Sequence, residues 1–267
     1  MNPLKRLAQN IIRAFQYFDI GIVHYSSLEK LRRNSSSAHT LSLLKALNGA
    51  NAQKLLEYSS SSKSQLGQDL FVLTRLNFLK HGYFVEFGAT NGYDLSNTYL
   101  MEKNFGWSGI LAEPAKIWHK DLYNYRSCNI ETDCVWAVSD STLIFNEVAV
   151  HELSTIKNYS DADMHADDRN EGKTYNVKTI SLNDLLLKYN APTHIDYLSI
   201  DTEGSEYEIL RSLDFSKYTF QVITCEHNYT PMREKINTLL IQQGYQRVYE
   251  EFSLFDDWYI KPTPIET

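Results

Sequence analysis

Between Tyr83 and Thr224, short apolar runs alternate with stretches of helical periodicity, and this alternation constrains the fold more tightly than any other feature of the chain. The runs lie at 83–87, 110–112, 135–138, 195–200 and 220–224. Each has strand length and is nearly continuous in apolar side chains, so it needs cover on both faces, which a parallel sheet with helices above and below provides. Helical spacing at 181–189, 205–213 and 232–243 supplies such cover, the last stretch opened by Thr230-Pro231 and closed by Gly244. The order predicts an α/β fold with a doubly wound, mostly parallel sheet of Rossmann-like type. After Gly244, two β-rich stretches at 245–249 and 258–261 flank a short acidic segment, which predicts a C-terminal antiparallel hairpin.

With 267 residues, 43% hydrophobic and 22% charged, the chain has length enough for one such domain and an extension. The domain is assigned to residues 64–267 and a helical N-terminal extension with its linker to 1–63. In the extension Leu4, Leu7, Ile11, Ile12, Phe15 and Phe18 recur at helical spacing beside Lys5, Arg6 and Arg13. Such a stripe covers its own domain, a second copy of the chain or a membrane surface. A further helical stretch at 41–56 is bracketed by serine runs at 35–37 and 59–62, which read as linkers. The polar stretch 154–173 reads as a long insertion over the site.

The net charge of −7 supplies no basic field for a nucleic-acid backbone and suits a neutral small-molecule or glycan acceptor. Cys128, Cys134 and Cys225 form no CxxC pair, which argues against a disulfide framework or a zinc site and for a reducing cytoplasm. No apolar run approaches the ~20 residues of a membrane-spanning helix, so any membrane contact is expected to be peripheral, at the inner face.

The chemistry is concentrated in Glu86-Phe87-Gly88-Ala89-Thr90-Asn91-Gly92, at the end of the first strand. Its E-x-G-x-x-x-G spacing lets the backbone turn at Gly88 close to a ligand and pack closely at Gly92. Glu86 faces the same crevice, where it can meet an ammonium group directly or through water. The next strand ends in Glu113-Pro114, and an acid at that position accepts hydrogen bonds from ribose hydroxyls. Adenosine joined to an amino acid is S-adenosylmethionine. The third strand ends at Val138-Ser139-Asp140, where backbone amides are expected to read the adenine edge. The G-x-G-x-x-G pattern of a nicotinamide enzyme is absent. A binding protein of the same fold without turnover is the other rival, disfavoured by the acids retained at both strand ends.

Five stretches together resemble the FkbM-type methyltransferases: Ser64-Gln65-Leu66-Gly67-Gln68-Asp69, the Phe84 to Gly92 loop, Ser96-Asn97-Thr98, Gly106-Trp107-Ser108-Gly109-Ile110-Leu111-Ala112-Glu113-Pro114, and Asp201-Thr202-Glu203-Gly204-Ser205-Glu206. The resemblance spans roughly 65–260. It implies a class I methyltransferase fold and methyl transfer to an oxygen, usually of a sugar or polyketide. The cofactor site is assigned to Gln65, Glu86, Gly88, Ala89, Asn91, Gly92, Glu113, Pro114, Val138, Ser139 and Asp201.

Methyl transfer needs the acceptor aligned with the methyl carbon and its proton removed. Asp201 and Glu203 follow the strand at 195–200, at the sheet edge where ligands bind, and Glu206 reads as a helix-capping acid. The next strand ends in Cys225-Glu226-His227-Asn228. Asp201, Glu226 and His227 are candidate ligands for a divalent cation, Mg2+ or Mn2+, that would acidify a sugar hydroxyl. Metal-dependent sugar O-methyltransferases, which this arrangement resembles, more often carry Asp or Asn where Glu226 and His227 stand. Without a metal, His227 or Glu203 is the expected base.

Overall fold

The computed structural model describes residues 44–45, 49–160, 166–170 and 172–262; the amphipathic stripe at 4–18 lies outside the described residues. The first elements are α1 (Gly49–Ser59), α2 (Gln68–Arg75), β1 (Tyr83–Phe87), α3 (Tyr99–Phe105), β2 (Ser108–Ala112), α4 (His119–Tyr125) and β3 (Asn129–Glu131). An insertion follows, built from β4 (Cys134–Trp136), β5 (Thr142–Glu147), β6 (Thr155–Ile156) and β7 (Lys173–Ser181). The chain then returns to alternation with α5 (Leu182–Lys188), β8 (His194–Ile200), α6 (Glu206–Arg211), β9 (Thr219–Glu226) and α7 (Met232–Gln242), and closes with β10 (Gln246–Val248), α8 (Glu250–Ser253) and β11 (Asp256–Ile260).

Seven strands form the main sheet in the order β10-β11-β9-β8-β1-β2-β3. The pairs from β3 to β9 are all parallel, whereas β11 is antiparallel to both β9 and β10, so β11 alone runs against the rest. Side-chain alternation divides the core between two faces. Val85, Leu198 and Ile223 point toward α5, α6 and α7, where Leu185, Ile209 and Leu240 cover them. Phe84, Tyr197, Val222 and Trp258 point the other way, toward Leu55, Leu70, Leu100 and Leu122 of α1 to α4. α5 buries Leu182, Leu185 and Leu186 at one-face spacing, and its N-cap Ser181 accepts from the Asp184 amide.

Three departures from the sequence reading shape the site. The third strand of the main sheet is the polar edge Asn129–Glu131, whereas the apolar run at 135–138 opens a second sheet of order β4-β7-β5-β6. β7, paired on both sides by β4 and β5, alternates exposed and buried residues over 175–179 because only one of its faces packs on apolar side chains, and it therefore shows no apolar run. The serine run at 59–62 is not a free linker at its end, because Ser62 and Ser64 hydroxyls donate to buried Asp69 of α2 at 2.7 and 2.6 Å. Among the described residues, no helix is long and apolar enough to cross a membrane.

Candidate active site

Strand order reverses between β1 and β8, and ligands in such sheets bind beyond the carboxyl ends of the strands at that point. A cavity of about 420 Å³ opens there, walled by the ends of β1, β2, β8 and β9 and by the start of the second sheet. Gly88 has φ +68°, and a Cβ on it would lie 1.8 Å from the Asp201 carbonyl oxygen. Glycine is therefore required for the ends of β1 and β8 to meet, a demand of the fold before any ligand arrives. Gly92 and Asn91 do not line the cavity. A Cβ on Gly92 would meet Leu122 and Arg126 at 2.6 and 2.7 Å. The Asn91 side-chain Oδ1 accepts from the amides of Tyr93 and Asp94, which shapes the turn.

Glu86 lines the cavity, yet both its oxygens are held by protein. The Asn97 amide donates at 2.8 Å, the Ser96 and Thr98 hydroxyls donate, and the Arg126 guanidinium stands 3.7 Å away. Burial pushes its carboxyl up, and Arg126 pulls it down in part. Glu86 thus braces the 96–98 turn, and beside it Asn97 also lines the cavity. Its Nδ2 donates to Ser199 Oγ at 2.9 Å, while its Oδ1 is buried without a partner. Glu113 takes one hydrogen bond per oxygen, from Thr90 N at 2.8 Å and Ala115 N at 2.7 Å, which leaves each oxygen a lone pair for a ribose hydroxyl. Burial pushes its carboxyl up to about 7. Gln65, Ala89 and Pro114 line the cavity.

The adenine end differs from expectation. Val138 is exposed, the Ser139 hydroxyl bonds Asp184 and accepts from Ser181 N, and the Asp140 amide donates to Thr179, so 138–140 serve the junction of the second sheet with α5. Their place in the cavity is taken by Cys134, Val135, Phe145, Trp118 and His151. Trp118 and His151 meet edge to face at 5.6 Å, and His151 Nδ1 is buried without a partner. This aromatic slot with one free ring nitrogen fits a purine. Only Trp118, a lone aromatic soon after Glu113-Pro114, gave a signal of it in the sequence.

At the opposite end, Asp201 and Glu203 leave β8 while Glu226 ends β9, and one oxygen from each lies within 4.8 Å of the other two. Desolvation in the cleft pushes Asp201 up to about 6. Burial drives Glu226 well above the carboxylate range, with Asp201 the strongest charge against it and a hydrogen bond joining the pair. Glu203 accepts from Arg169 Nη2 at 2.7 Å and from Asn228 Nδ2 at 3.2 Å. Arg169 belongs to the 154–173 insertion, which does lie along the site: Ser154 and Ile156 line the cavity, and Thr155 Oγ1 donates to the Glu203 carbonyl at 2.9 Å. Glu206 caps its own turn, accepting from Thr202 N and Gly204 N. Asp256, held by Gln68 Nε2 at 2.9 Å and pushed up to about 8 by burial, is a lining acid that the sequence reading missed.

His227 is the main correction. Glu226 faces the cavity, and the next side chain points elsewhere: His227 Nδ1 accepts from Tyr229 N at 2.9 Å, and its Nε2 stands 3.7 Å from Asp257. Burial lowers its pKa. It is neither a base on the acceptor nor a ligand beside Asp201, and Glu203 takes its place in the three-acid cluster.

Among the described residues the charged lining consists of Glu86, Glu113, Glu152, Asp201, Glu203, Glu226 and Asp256, an interior that favours a cation such as a sulfonium. Asn97 Oδ1 and His151 Nδ1, both buried without a hydrogen-bond partner, belong to the same lining as Glu113. Sheet order, the single reversed strand and this cavity define a class I methyltransferase that depends on S-adenosylmethionine. The family model described as "Methyltransferase FkbM domain" matches residues 86–257, well over half the chain, and the chain belongs to the FkbM methyltransferase family. It is similar to a precorrin-6y C5,15-methyltransferase from Geobacter metallireducens, at 9% identity and TM-score 0.39, covering 72% of this chain and 85% of that one. It is also similar to a TehB-like SAM-dependent methyltransferase from Corynebacterium glutamicum, at 8% identity and TM-score 0.37, covering 85% and 100%. No curated protein matches.

Proposed function

We propose that the chain methylates a hydroxyl oxygen of a sugar, with Asp201 receiving the hydroxyl proton. When bound, the cofactor supplies an electrophilic methyl group on a sulfonium. Asn97, Glu113 and the Trp118–His151 slot hold its three parts, and the carboxylate lining offsets its charge. The observation that carries the reading is the Asp201–Glu226 pair at the carboxyl edge of the sheet. With Glu226 protonated and donating, Asp201 stays ionised near neutrality and can take a proton as the acceptor oxygen becomes bonded to carbon. Glu203, fixed by Arg169 and Asn228, is placed to orient the acceptor hydroxyl.

The reading is tested by incubating the protein with methyl-labelled S-adenosylmethionine and a panel of glycans and nucleotide sugars, read by mass spectrometry. Label in an alkali-stable methyl ether is expected; label only in an ester or an amine overturns it. A second reading rests on the 4.8 Å cluster: Asp201, Glu203 and Glu226 form a hard-oxygen donor set for Mg2+ or Mn2+. Arg169 already neutralises Glu203, which disfavours it. Chelation that abolishes turnover, reversed by either ion, would establish the metal.

A further inference from the structure

Every charged side chain that lines the cavity is a carboxylate, and among the described residues no lysine or arginine belongs to the lining. Protonation of Glu226 and Asp256, which burial favours, lessens their repulsion with Asp201 but adds no positive charge. Proteins hold a diphosphate with Arg, Lys, a metal or the free amides of a helix start. The amides that precede α6, those of Thr202 and Gly204, are occupied by the carboxylate of Glu206. Among the described residues, an anionic acceptor therefore meets a lining of acids with no basic side chain in contact to hold it, since Arg169 and Arg126 are already paired with Glu203 and Glu86.

The mouth is of different character. Tyr229 is 58% exposed and Leu95 46% exposed, and both line the cavity together with Phe255. Asn228 and Tyr229 have φ of 42° and 56°, a left-handed backbone that non-glycine residues adopt at a cost. Neighbouring groups hold it in place. The Tyr229 amide donates to His227 Nδ1 at 2.9 Å, the amides of His227 and Asn228 both donate to the Phe255 carbonyl, and the His227 and Tyr229 rings meet at 5.2 Å. The buried histidine that does not reach the acceptor is thus the support of an aromatic ring that overhangs its entrance.

Resting on the O-methylation reading above, we infer that the acceptor is the uncharged sugar end of a glycan, not a nucleotide sugar, and that its ring stacks on Tyr229, which His227 positions. An amphipathic sugar ring presents C–H groups to an aromatic face and hydroxyls to Asn228 and the carboxylates beyond it. The test compares a neutral oligosaccharide with the nucleoside diphosphate form of the same terminal sugar, over several sugars, as acceptors for labelled methyl. The neutral member should have a kcat/KM at least roughly tenfold higher. Tyr229→Ala should raise KM for the neutral acceptor roughly tenfold while kcat and the cofactor-induced thermal shift hold, and Tyr229→Trp should restore KM. His227→Ala should reproduce the KM defect without shifting the pH profile, since the ring does not take the proton. Equal or better use of the nucleotide sugars, or an unchanged KM in Tyr229→Ala, overturns the inference and leaves O-methylation standing. No transfer to either member of any pair, with cofactor bound, overturns both.

Discussion

Glu113 and Gly88 carry two different burdens that the same short loop imposes. Glu113 is gripped by the amides of Thr90 and Ala115, so its orientation is set before the cofactor arrives. Glu113→Ala is expected to weaken S-adenosylmethionine binding by roughly 1–3 kcal/mol, the scale of lost hydrogen bonds to a charged group, measurable by calorimetry. Unchanged affinity would remove Glu113 from the ribose site. Gly88→Val acts on the fold, because the added Cβ falls 1.8 Å from the Asp201 carbonyl. Its melting temperature should drop by more than ~5 °C, on the scale of several kcal/mol for an unrelieved backbone clash. A stably folded variant that only fails to bind cofactor would show the glycine serving the ligand alone. His227 marks a limit of sequence reading at this scale. Beside Glu226 in sequence it looks like a neighbouring ligand, but adjacent strand residues point to opposite sides, and only the structure tells which one faces the crevice.

Elements that were legible are those whose burial is written as hydrophobicity. β1, β2, β8 and β9 are continuous apolar runs because both faces are covered, and α5 and α7 show their caps and spacing. β3 and β7 were not legible: β3 is an edge strand with polar side chains, β7 buries only alternate residues although it is paired on both sides, and the pairing of each depends on partners distant in sequence. The 154–173 insertion reads as polar in sequence because much of its anchoring is polar, with Arg169 paired to Glu203 at 2.7 Å, and only Ile156 and Tyr159 join the small apolar cluster beside it. Removing one partner of a buried pair leaves the other uncompensated. Arg169→Ala is therefore expected to cost about 3–5 kcal/mol and to speed amide hydrogen exchange over 151–160. Exchange that stays at the wild-type rate would mean that other contacts hold the insertion.

For the whole molecule, buried acids dominate the response to pH. Glu113, Asp201 and Asp256 are raised to about 7, 6 and 8 from 4.5, 3.8 and 3.8, so the folded chain holds these protons more tightly than the unfolded chain. Their contribution is fully present below about pH 4 and is lost as pH rises through 6 to 8. Glu102, lowered to about 2 chiefly by Arg126 against the opposing effect of burial, acts in the other direction, and its contribution fades only below pH 4.5. The protein without cofactor should therefore melt several degrees higher at pH 5.5 than at pH 8.5, and Asp256→Asn should narrow that gap. A melting temperature that rises with pH over this range contradicts the assignment. Among the described residues the lining falls between Gln65 and Asp256, and deletion of residues 1–25 is expected to leave cofactor affinity within about twofold of the full chain, a difference of less than ~0.5 kcal/mol.

The central claim is that cofactor and acceptor meet at the end of β8, with Asp201 as the group that takes the proton. The most direct measurement is the single-turnover rate of methyl transfer with cofactor saturating, for wild type and Asp201→Asn across pH. The rate should fall roughly 100-fold or more in the variant, and the wild-type rise through pH 6, the position to which the cleft pushes Asp201, should vanish. A variant as fast as wild type, with that rise intact, would contradict the account.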